Sequence, residues 1–229
     1  MKNLGFLTDK IFAHRGVHSN CPENSLTAFK KAVEKGYPIE LDVQLTKDNE
    51  VIVFHDATLK RMCNISKKPS SYDLNELKTV CLNESKESIP TLKEVLKIIN
   101  GKVPLIVELK SSSNNNVLET ETMKLLDNYK GIFAIQSFDP YILKWFRKNR
   151  PNIVRGLLIT DKKKSNAFYR FIALRIAKPD YLGCSKYLAK KRFIKRFNKK
   201  GVVLAWTMKN KEDLIKYKEY FDNFICDYL

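Results

Sequence analysis

Short apolar runs alternate with longer amphipathic, lysine-rich runs along the whole chain. The apolar runs are rich in Ile, Val, Leu and Phe, and most of them end at a polar residue or a turn signal. This alternation is typical of βα units around a parallel sheet. The predicted strands are Ile11–His14, Ile39–Val43, Val51–His55, Leu105–Glu108, Phe133–Gln136, Arg155–Ile159, Asp180–Cys184, Val202–Trp206 and Asn223–Cys226.

The third predicted strand does not fit a parallel arrangement. Only Gln44–Glu50 separates it from the second strand, and a parallel crossover needs about a dozen residues or more. We therefore expect it to return antiparallel through a turn near Asp48-Asn49, which would place His55 opposite Asp42. The other eight strands predict an α/β fold, a (β/α)8 TIM-like barrel with a β-hairpin after the second strand.

Helix signals fill the gaps between the strands. Ser25–Lys35 begins at a serine cap and is followed by Gly36, and Thr91–Ile99 is followed shortly by Gly101. The segment of about 57–89 is polar and interrupts the rhythm, so we expect a small cap insertion over one end of the barrel. With 44% hydrophobic residues, the 229-residue chain is predicted to form a single domain, 1–229.

The apolar runs are too short for a membrane-spanning helix, which needs roughly 20 apolar residues. The first ten residues also lack the apolar core of a signal peptide. The five cysteines are widely spaced and contain no CxxC pair, which argues against a disulfide framework or a zinc ribbon. These features predict a soluble cytoplasmic protein with reduced thiols, and they do not indicate an oligomeric state.

Positive charge is concentrated in the second half of the chain. The formal net charge is +17, and residues 155–200 contain fifteen Lys or Arg against two acids, Asp161 and Asp180. Such a field attracts polyanions, although a basic surface exposed to water is the simpler interpretation. Within this stretch, Ala167–Ala177 is either an ordinary outer helix, which we favour, or a helix in peripheral contact with an anionic membrane.

Three carboxylates are predicted to meet at the carboxyl end of the barrel strands. Glu40 and Asp42 lie two residues apart in an apolar strand, so both side chains point to the same face. Glu108 closes the next parallel strand. Acids this close repel one another unless a cation compensates, and all-oxygen ligation favours Ca2+ or Mg2+, with Mn2+ as a further candidate.

Two of the three histidines, His14 and His55, close predicted strands at the face where barrel enzymes build their sites. Arg15 and Lys110 would supply positive charge for phosphate oxygens. Two imidazoles beside a metal ion suit phosphodiester cleavage, with one removing a proton from the nucleophile and the other protonating the leaving alkoxide. The third histidine, His18, lies in a loop and is predicted to be at the surface or behind the site.

The motifs together resemble the glycerophosphodiester phosphodiesterase family over essentially the whole chain. The strings that carry the resemblance are Ala13-His14-Arg15-Gly16, Pro22-Glu23-Asn24-Ser25, Ala28-Phe29, Glu40-Leu41-Asp42-Val43, Thr46-Lys47-Asp48, Val53-Phe54-His55-Asp56, Leu59, Arg61, Pro90-Thr91-Leu92, Glu108-Leu109-Lys110, Gln136-Ser137-Phe138 and Ala205-Trp206-Thr207.

The resemblance implies a barrel with a short cap and a role for nine residues. These are His14 and His55 as the acid/base pair, Glu40, Asp42 and Glu108 as ligands of one divalent cation, Arg15 and Lys110 near the phosphate, and Phe138 and Trp206 in the alcohol pocket. The departures from the family pattern are Cys21 and the closing segment 226–229, and neither is expected to touch a catalytic group.

The implied activity is hydrolysis of a small-molecule glycerophosphodiester to sn-glycerol 3-phosphate and an alcohol. Two alternatives stay open. The same chemistry could act on membrane-derived lysophospholipids, as the basic amphipathic stretch suggests, or the chain could be a non-catalytic barrel that binds polyanions. No nucleic-acid partner is expected, because three acids at the barrel mouth would repel a phosphate backbone.

Overall fold

The computed structural model describes residues 2–111, 115–161 and 167–229. Part of the basic stretch, residues 162–166, therefore lies outside the described residues. The strands are β1 Phe12–His14, β2 Ile39–Leu45, β3 Val51–Val53, β4 Leu105–Leu109, β5 Phe133–Ser137, β6 Val154–Ile159, β7 Tyr181–Ser185, β8 Val202–Met208 and β9 Asn223–Cys226.

Eight parallel strands form a closed barrel, as the sequence pattern predicts. The order is β1-β9-β8-β7-β6-β5-β4-β2, and β1 pairs with β2 to complete the ring. The remaining strand, β3, pairs antiparallel with β2 outside this ring. The prediction of a (β/α)8 barrel with one hairpin is confirmed.

Helices connect the strands around the outside of the barrel. Ser25 caps the first helix by accepting a hydrogen bond from the Ala28 amide, and Thr91 and Glu94 form a capping box at the start of another. The helices are α1 Leu26–Glu34, α2 Lys60–Cys63, α3 Leu74–Leu77, α4 Leu92–Ile99, α5 Val117–Leu126, α6 Pro140–Asn149, α7 Ala167–Ala177, α8 Arg192–Asn198 and α9 Lys211–Tyr217, with short 3-10 helices at Gly5–Leu7, Pro69–Ser71 and Lys186–Leu188.

The hairpin register differs from the prediction by one residue. Val43 pairs with Val53, and the Phe54 amide donates to the Asp42 carbonyl at 2.9 Å, so Phe54 rather than His55 lies opposite Asp42. The turn closes with a hydrogen bond from the Thr46 amide to the Glu50 carbonyl, at 3.0 Å. The strand ends at Val53, and His55 lies in the loop beyond it.

The barrel interior is filled by an apolar layer directly below the polar residues of the mouth. Phe12, Ile106 and Leu204 belong to one buried cluster, which the 3-10 helix Gly5–Leu7 closes at the amino-terminal end. His14, Glu108 and Trp206 each follow one of these core residues by two positions. Because alternate residues of a strand share a face, the interior packing directs these three side chains upward into the mouth.

The segment predicted as a cap carries its own small core. Phe54, Leu59, Met62, Leu77 and Ile89 are buried in a cluster separate from the barrel core. This cluster packs the segment against the hairpin loop that carries His55. The organisation of 1–229 as one domain stays a prediction.

Two further expectations concern the cysteines and the absence of a membrane-spanning helix. All five cysteines are free thiols. Among the described residues, no helix has the length and apolar character to cross a membrane.

The close approach of Gly156 and Tyr181 gives a test of the interior packing. A Cβ atom at Gly156 would lie 2.1 Å from the ring of the fully buried Tyr181. Gly156→Ala should therefore destabilise the protein by about 1–3 kcal/mol. The melting temperature followed by circular dichroism should fall by about 2–4 °C for each kcal/mol.

Gly5→Ala is the matched control, because its added Cβ would meet only the flexible side chain of Asn3, at 3.2 Å. Equal melting temperatures for the two variants would contradict the described packing around Tyr181.

Candidate active site

The parallel register brings the three predicted carboxylates together. His14 is in register with Glu40, and Asp42 is in register with Glu108 on the next strand. Each of the three acids offers one oxygen, and these oxygens all lie within 4.8 Å of one another. All three side chains are buried. The structure thus forms the acidic cluster that strand periodicity predicts.

Two cationic side chains lie against this cluster and offset part of its negative charge. Lys110 Nζ lies 2.6 Å from Asp42 Oδ1 and 2.5 Å from Glu108 Oε1. Arg15 Nε lies 3.2 Å from Asp42 Oδ2. Burial alone would lower the pKa of Lys110, but Asp42 and Glu108 outweigh it and raise this pKa, so the lysine stays charged.

The acids differ in how readily they hold a proton. Burial, together with the charges of Asp42 and Glu108, raises the pKa of Glu40 well above its usual range. Burial raises the pKa of Glu108 to about 7, with Lys110 opposing it. For Asp42, the effect of burial is outweighed by Lys110 and Arg15, which hold its pKa far below the usual range. Two cations therefore keep one carboxylate ionised, and the other two favour a proton or a metal ion.

The residues present fit a hard divalent cation. Glu40 Oε1 accepts a hydrogen bond from Gln136 Nε2 at 3.1 Å, whereas the buried Oε2 has no hydrogen-bond partner among the described residues. An orphaned carboxylate oxygen in the barrel interior is costly unless an ion or proton compensates. Three convergent carboxylates match the oxygen preference of Ca2+, Mg2+ or Mn2+.

Local backbone geometry aims Arg15 at this cluster. Arg15 follows the last residue of β1 with a φ of 57°, and its amide donates to the Glu40 carbonyl at 2.8 Å. The next residue, Gly16, has a φ of 84°, and a Cβ there would lie 2.8 Å from Ala28. Only glycine lets α1 approach this closely. A non-glycine residue in the left-handed region carries backbone strain, and such strained residues cluster at functional sites.

His14 is held by the side-chain carboxylate of Asp227, the residue that follows β9. Its Nδ1 lies 2.5 Å from Asp227 Oδ1, and its Nε2 lies 3.9 Å from Glu40 Oε2. His14 and His18 help to keep the pKa of Asp227 low against its burial, so the carboxylate accepts and His14 Nδ1 carries the proton. The expectation that the closing segment 226–229 touches no catalytic group is wrong, because β9 pairs with β1 and brings Asp227 beside His14.

His55 has an equivalent partner next to it in the sequence. Its Nδ1 lies 2.7 Å from Asp56 Oδ1. Gln44 Nε2 donates to the carbonyls of Phe54 and Asp56, at 2.8 and 2.9 Å, and so holds the loop on both sides of the histidine. Both imidazoles are therefore held through Nδ1 by an aspartate, so a proton transfer at either ring would use Nε2.

Arg61 of the cap links Asp56, the partner of His55, to Glu23, which in turn bonds Arg15. Its guanidinium donates to both oxygens of Asp56, at 2.7 and 3.0 Å, and to both oxygens of Glu23, at 2.7 and 2.9 Å. Glu23 in turn accepts from Arg15 at 2.6 Å. Against the effect of burial, Arg61 and His55 lower the pKa of Asp56 to about 2. One cap residue thus supports both the His55 partner and Arg15.

The surroundings of the two histidines lower both pKa values and so favour the uncharged form in the free protein. For His14, burial lowers the pKa, and the hydrogen bond to Asp227 only partly offsets it. For His55, burial again lowers the pKa, and Asp42 opposes this effect. An uncharged imidazole can accept a proton, and the neighbouring carboxylates stabilise the imidazolium that forms.

A cavity of about 590 Å3 opens above the acidic cluster and the two histidines. Phe138 and Trp206 line one part of it and pack edge to face, with ring centroids 5.6 Å apart. The polar part includes Ser185, which donates to Asp161 at 2.6 Å, and Lys186, which pairs with Asp213. The site therefore has an apolar wall beside a charged floor.

Sequence reasoning missed several residues that this geometry uses. Gln44, Gln136 and Asp227 each bond a predicted site residue or the loop that carries it. Gln136 is the penultimate residue of β5, as Glu108 is of β4, and Asp227 directly follows β9, so a polar residue at the carboxyl end of an apolar run could have indicated both. His18, predicted at the surface or behind the site, has its Nε2 3.6 Å from Asp227 Oδ1.

Comparisons with known proteins agree with this geometry. YhdW of Bacillus subtilis, a candidate glycerophosphodiester phosphodiesterase, is 30% identical to this chain, over 95% of it and 94% of YhdW. A glycerophosphodiester phosphodiesterase of Caldanaerobacter subterraneus is 38% identical over 65% of either chain. The Oleispira antarctica phosphodiesterase, solved with the product sn-glycerol-3-phosphate, has the same fold, with a TM-score of 0.87 at 23% identity over 97% of this chain and 94% of that one.

The crystal structure of glycerophosphodiester phosphodiesterase from Thermotoga maritima superposes with a TM-score of 0.79 at 27% identity, covering 96% of this chain and 95% of that one. The sequence pattern of the glycerophosphoryl diester phosphodiesterase family matches residues 14–226, which include all nine residues predicted for the site. The chain therefore belongs to the glycerophosphoryl diester phosphodiesterase family of enzymes.

Proposed function

We propose that this chain hydrolyses glycerophosphodiesters to sn-glycerol 3-phosphate and an alcohol by metal-dependent, two-histidine catalysis. The observation that carries the proposal is the pair of Asp-anchored imidazoles, His14 and His55, at a cavity whose floor holds three buried carboxylates. Membership in an enzyme family argues against the alternative of a non-catalytic polyanion-binding barrel.

Glu40, Asp42 and Glu108 would hold the divalent cation, and Gln136 would orient Glu40 through its hydrogen bond. Such an ion supplies a Lewis acid that polarises the phosphoryl oxygens. Lys110 and Arg15 are positioned to bind the remaining negative oxygens of the phosphate, and Arg15 can present two parallel donors.

The histidines carry the protons of the reaction. One imidazole takes a proton from the attacking oxygen as the new P–O bond forms, and the other, protonated, gives its proton to the alcohol oxygen as the old P–O bond breaks. Asp227 and Asp56 stabilise the imidazolium forms. Both a water molecule and a hydroxyl of the glycerol moiety are candidates for the attacking group, with water completing the hydrolysis in the second case.

The alcohol would lie against Phe138 and Trp206, which form the apolar wall of the cavity. An apolar wall favours a second candidate substrate class, lysophospholipids, whose acyl chain could follow it. Mouse lysophospholipase D GDPD1 is 35% identical over 142 residues, which cover 56% of this chain and 44% of that protein. Hydrolysis rates for glycerophosphocholine and lysophosphatidylcholine, measured side by side, decide between the two.

Removing the metal ion should abolish activity. The assay is release of glycerol 3-phosphate from glycerophosphocholine. We expect EDTA to stop the release, and Mg2+, Ca2+ or Mn2+ to restore it. Glu40→Gln should lower kcat about 100-fold or more, because it removes a charged ligand oxygen.

The matched control is Glu119→Gln, which changes another buried carboxyl, on α5 and outside the cavity. His14→Ala should abolish activity without loss of the folded circular dichroism spectrum. Full activity of His14→Ala, or turnover in excess EDTA, would contradict the proposed mechanism.

Metal affinity should depend on pH, because protons compete for the same oxygens. Burial raises the pKa of Glu108 to about 7, so Glu108 is largely protonated below neutral pH. Burial and the charges of Asp42 and Glu108 raise the pKa of Glu40 as well. The Kd for Mn2+, measured by calorimetry, should weaken by about tenfold or more per pH unit below about pH 7. A Kd that is the same at about pH 6 and about pH 8 would contradict the proposed ligand set.

Asp227→Asn tests the anchoring of His14. The change removes a carboxylate that raises the histidine pKa and fixes its proton on Nδ1. We expect kcat to fall about 10- to 100-fold with little change in KM. The limb of the pH–rate profile that reports His14 should move to lower pH.

Asp127→Asn, at an exposed surface ion pair with Arg150, is the control and should leave both quantities unchanged. If Asp227→Asn behaves like this control, Asp227 does not act through His14.

A further inference from the structure

Helix α7 presents its large apolar side chains to solvent. Ala173 and Ala177 are buried, whereas the exposed fractions of Phe168, Phe171 and Ile172 are 72%, 55% and 37%. Positions 168, 171 and 172 follow the i, i+3, i+4 spacing of one helix face. The helix is an outer helix of the barrel, as the favoured interpretation expects, with Ala173, Ala177 and Leu174 packed against the core. Its largest aromatic side chains nevertheless face solvent.

The start of this face is near the mouth of the barrel. Tyr141 begins α6 after β5, Phe168 is at the start of α7 after β6, and Tyr187 follows β7, so these three are close to the carboxyl ends of neighbouring strands, whereas Phe171 and Ile172 lie about one turn further along α7. The exposed fractions of Tyr141 and Tyr187 are 62% and 68%. We call the five residues Tyr141, Phe168, Phe171, Ile172 and Tyr187 the aromatic rim. Tyr187 connects the rim to the cavity, which it lines together with Phe138.

Cations accompany the aromatic rim. The Arg175 guanidinium lies 4.7 Å from the centroid of the Phe171 ring, and Lys144 Nζ lies 5.7 Å from that of Tyr141. Lys190 and Lys191, just after Tyr187, are exposed. The nearest acids in the sequence are Asp139, which accepts from the Tyr141 amide and from Ser111, and Asp161, which accepts from Ser185. The rim therefore combines apolar side chains with net positive charge.

We propose that the aromatic rim is a docking surface for a bilayer that contains anionic lipids. Exposed aromatic side chains with cations beside them suit the boundary between acyl chains and headgroups, where apolar bodies enter the lipid and cations meet phosphates. Two copies of this chain would bring equal positive charge together, which disfavours self-association through the rim. Docking would turn the cavity mouth toward the lipid surface. The proposed hydrolysis of a soluble diester does not require this contact.

The test is co-sedimentation of the full chain with vesicles, which needs no turnover. The protein should bind vesicles of phosphatidylcholine mixed with phosphatidylglycerol and bind pure phosphatidylcholine weakly. The double variant Phe168→Ser, Phe171→Ser should bind the anionic vesicles about tenfold more weakly or worse, because it loses the apolar anchors. Its hydrolysis of soluble glycerophosphocholine should match the unmodified chain and shows that it is folded.

Ile132→Ser is the matched control, because Ile132 has the same exposed fraction of 55% as Phe171 but precedes β5, at the opposite end of the barrel. Arg175→Glu should weaken binding, and Lys130→Glu, near Ile132, should do so less.

Several results would overturn the proposal. These are no binding of the unmodified chain to anionic vesicles, equal binding by the double variant, or equal weakening by Ile132→Ser. Loss of a dimer in the double variant, seen by sedimentation equilibrium, would assign the rim to self-association. Loss of RNA binding without loss of vesicle binding would assign it to nucleic acid.

Discussion

The convergence of three carboxylates at the mouth of the barrel constrains the rest of the site. Glu40, Asp42 and Glu108 are buried within 4.8 Å of one another, so each raises the free energy of the others' ionised forms. Lys110 and Arg15 compensate only part of this repulsion. Protonation of an acid or a bound cation would relieve the remaining repulsion.

The imidazoles depend on contacts that close the barrel. His14 lies at the end of the first strand and Asp227 just past the last, so the pairing of β1 with β9 also brings His14 and Asp227 together. His55 depends instead on the hairpin loop, which Gln44 holds.

Much of the barrel and its acidic cluster could be predicted because strand periodicity is local. Alternate side chains share a face, so Glu40 and Asp42 had to point the same way, and short connections excluded a parallel β3. The predicted hairpin register was wrong by one residue, because the register depends on how the turn between Thr46 and Glu50 closes. The prediction of α7 as an outer helix did not reveal that Phe168 and Phe171 face solvent, because periodicity identifies an apolar face without saying what covers it.

The sequence by itself determined the fold class, the number and order of the strands along the chain, and the types of side chain that meet at the mouth. Those follow from period-two geometry and from where polar residues interrupt apolar runs. Only the tertiary structure decided that Asp227 anchors His14, that Gln44 holds the His55 loop and that Arg61 joins Asp56 to Glu23. The physical reason is that these contacts join different elements, or a strand to a loop, at distances that barrel closure and cap packing set.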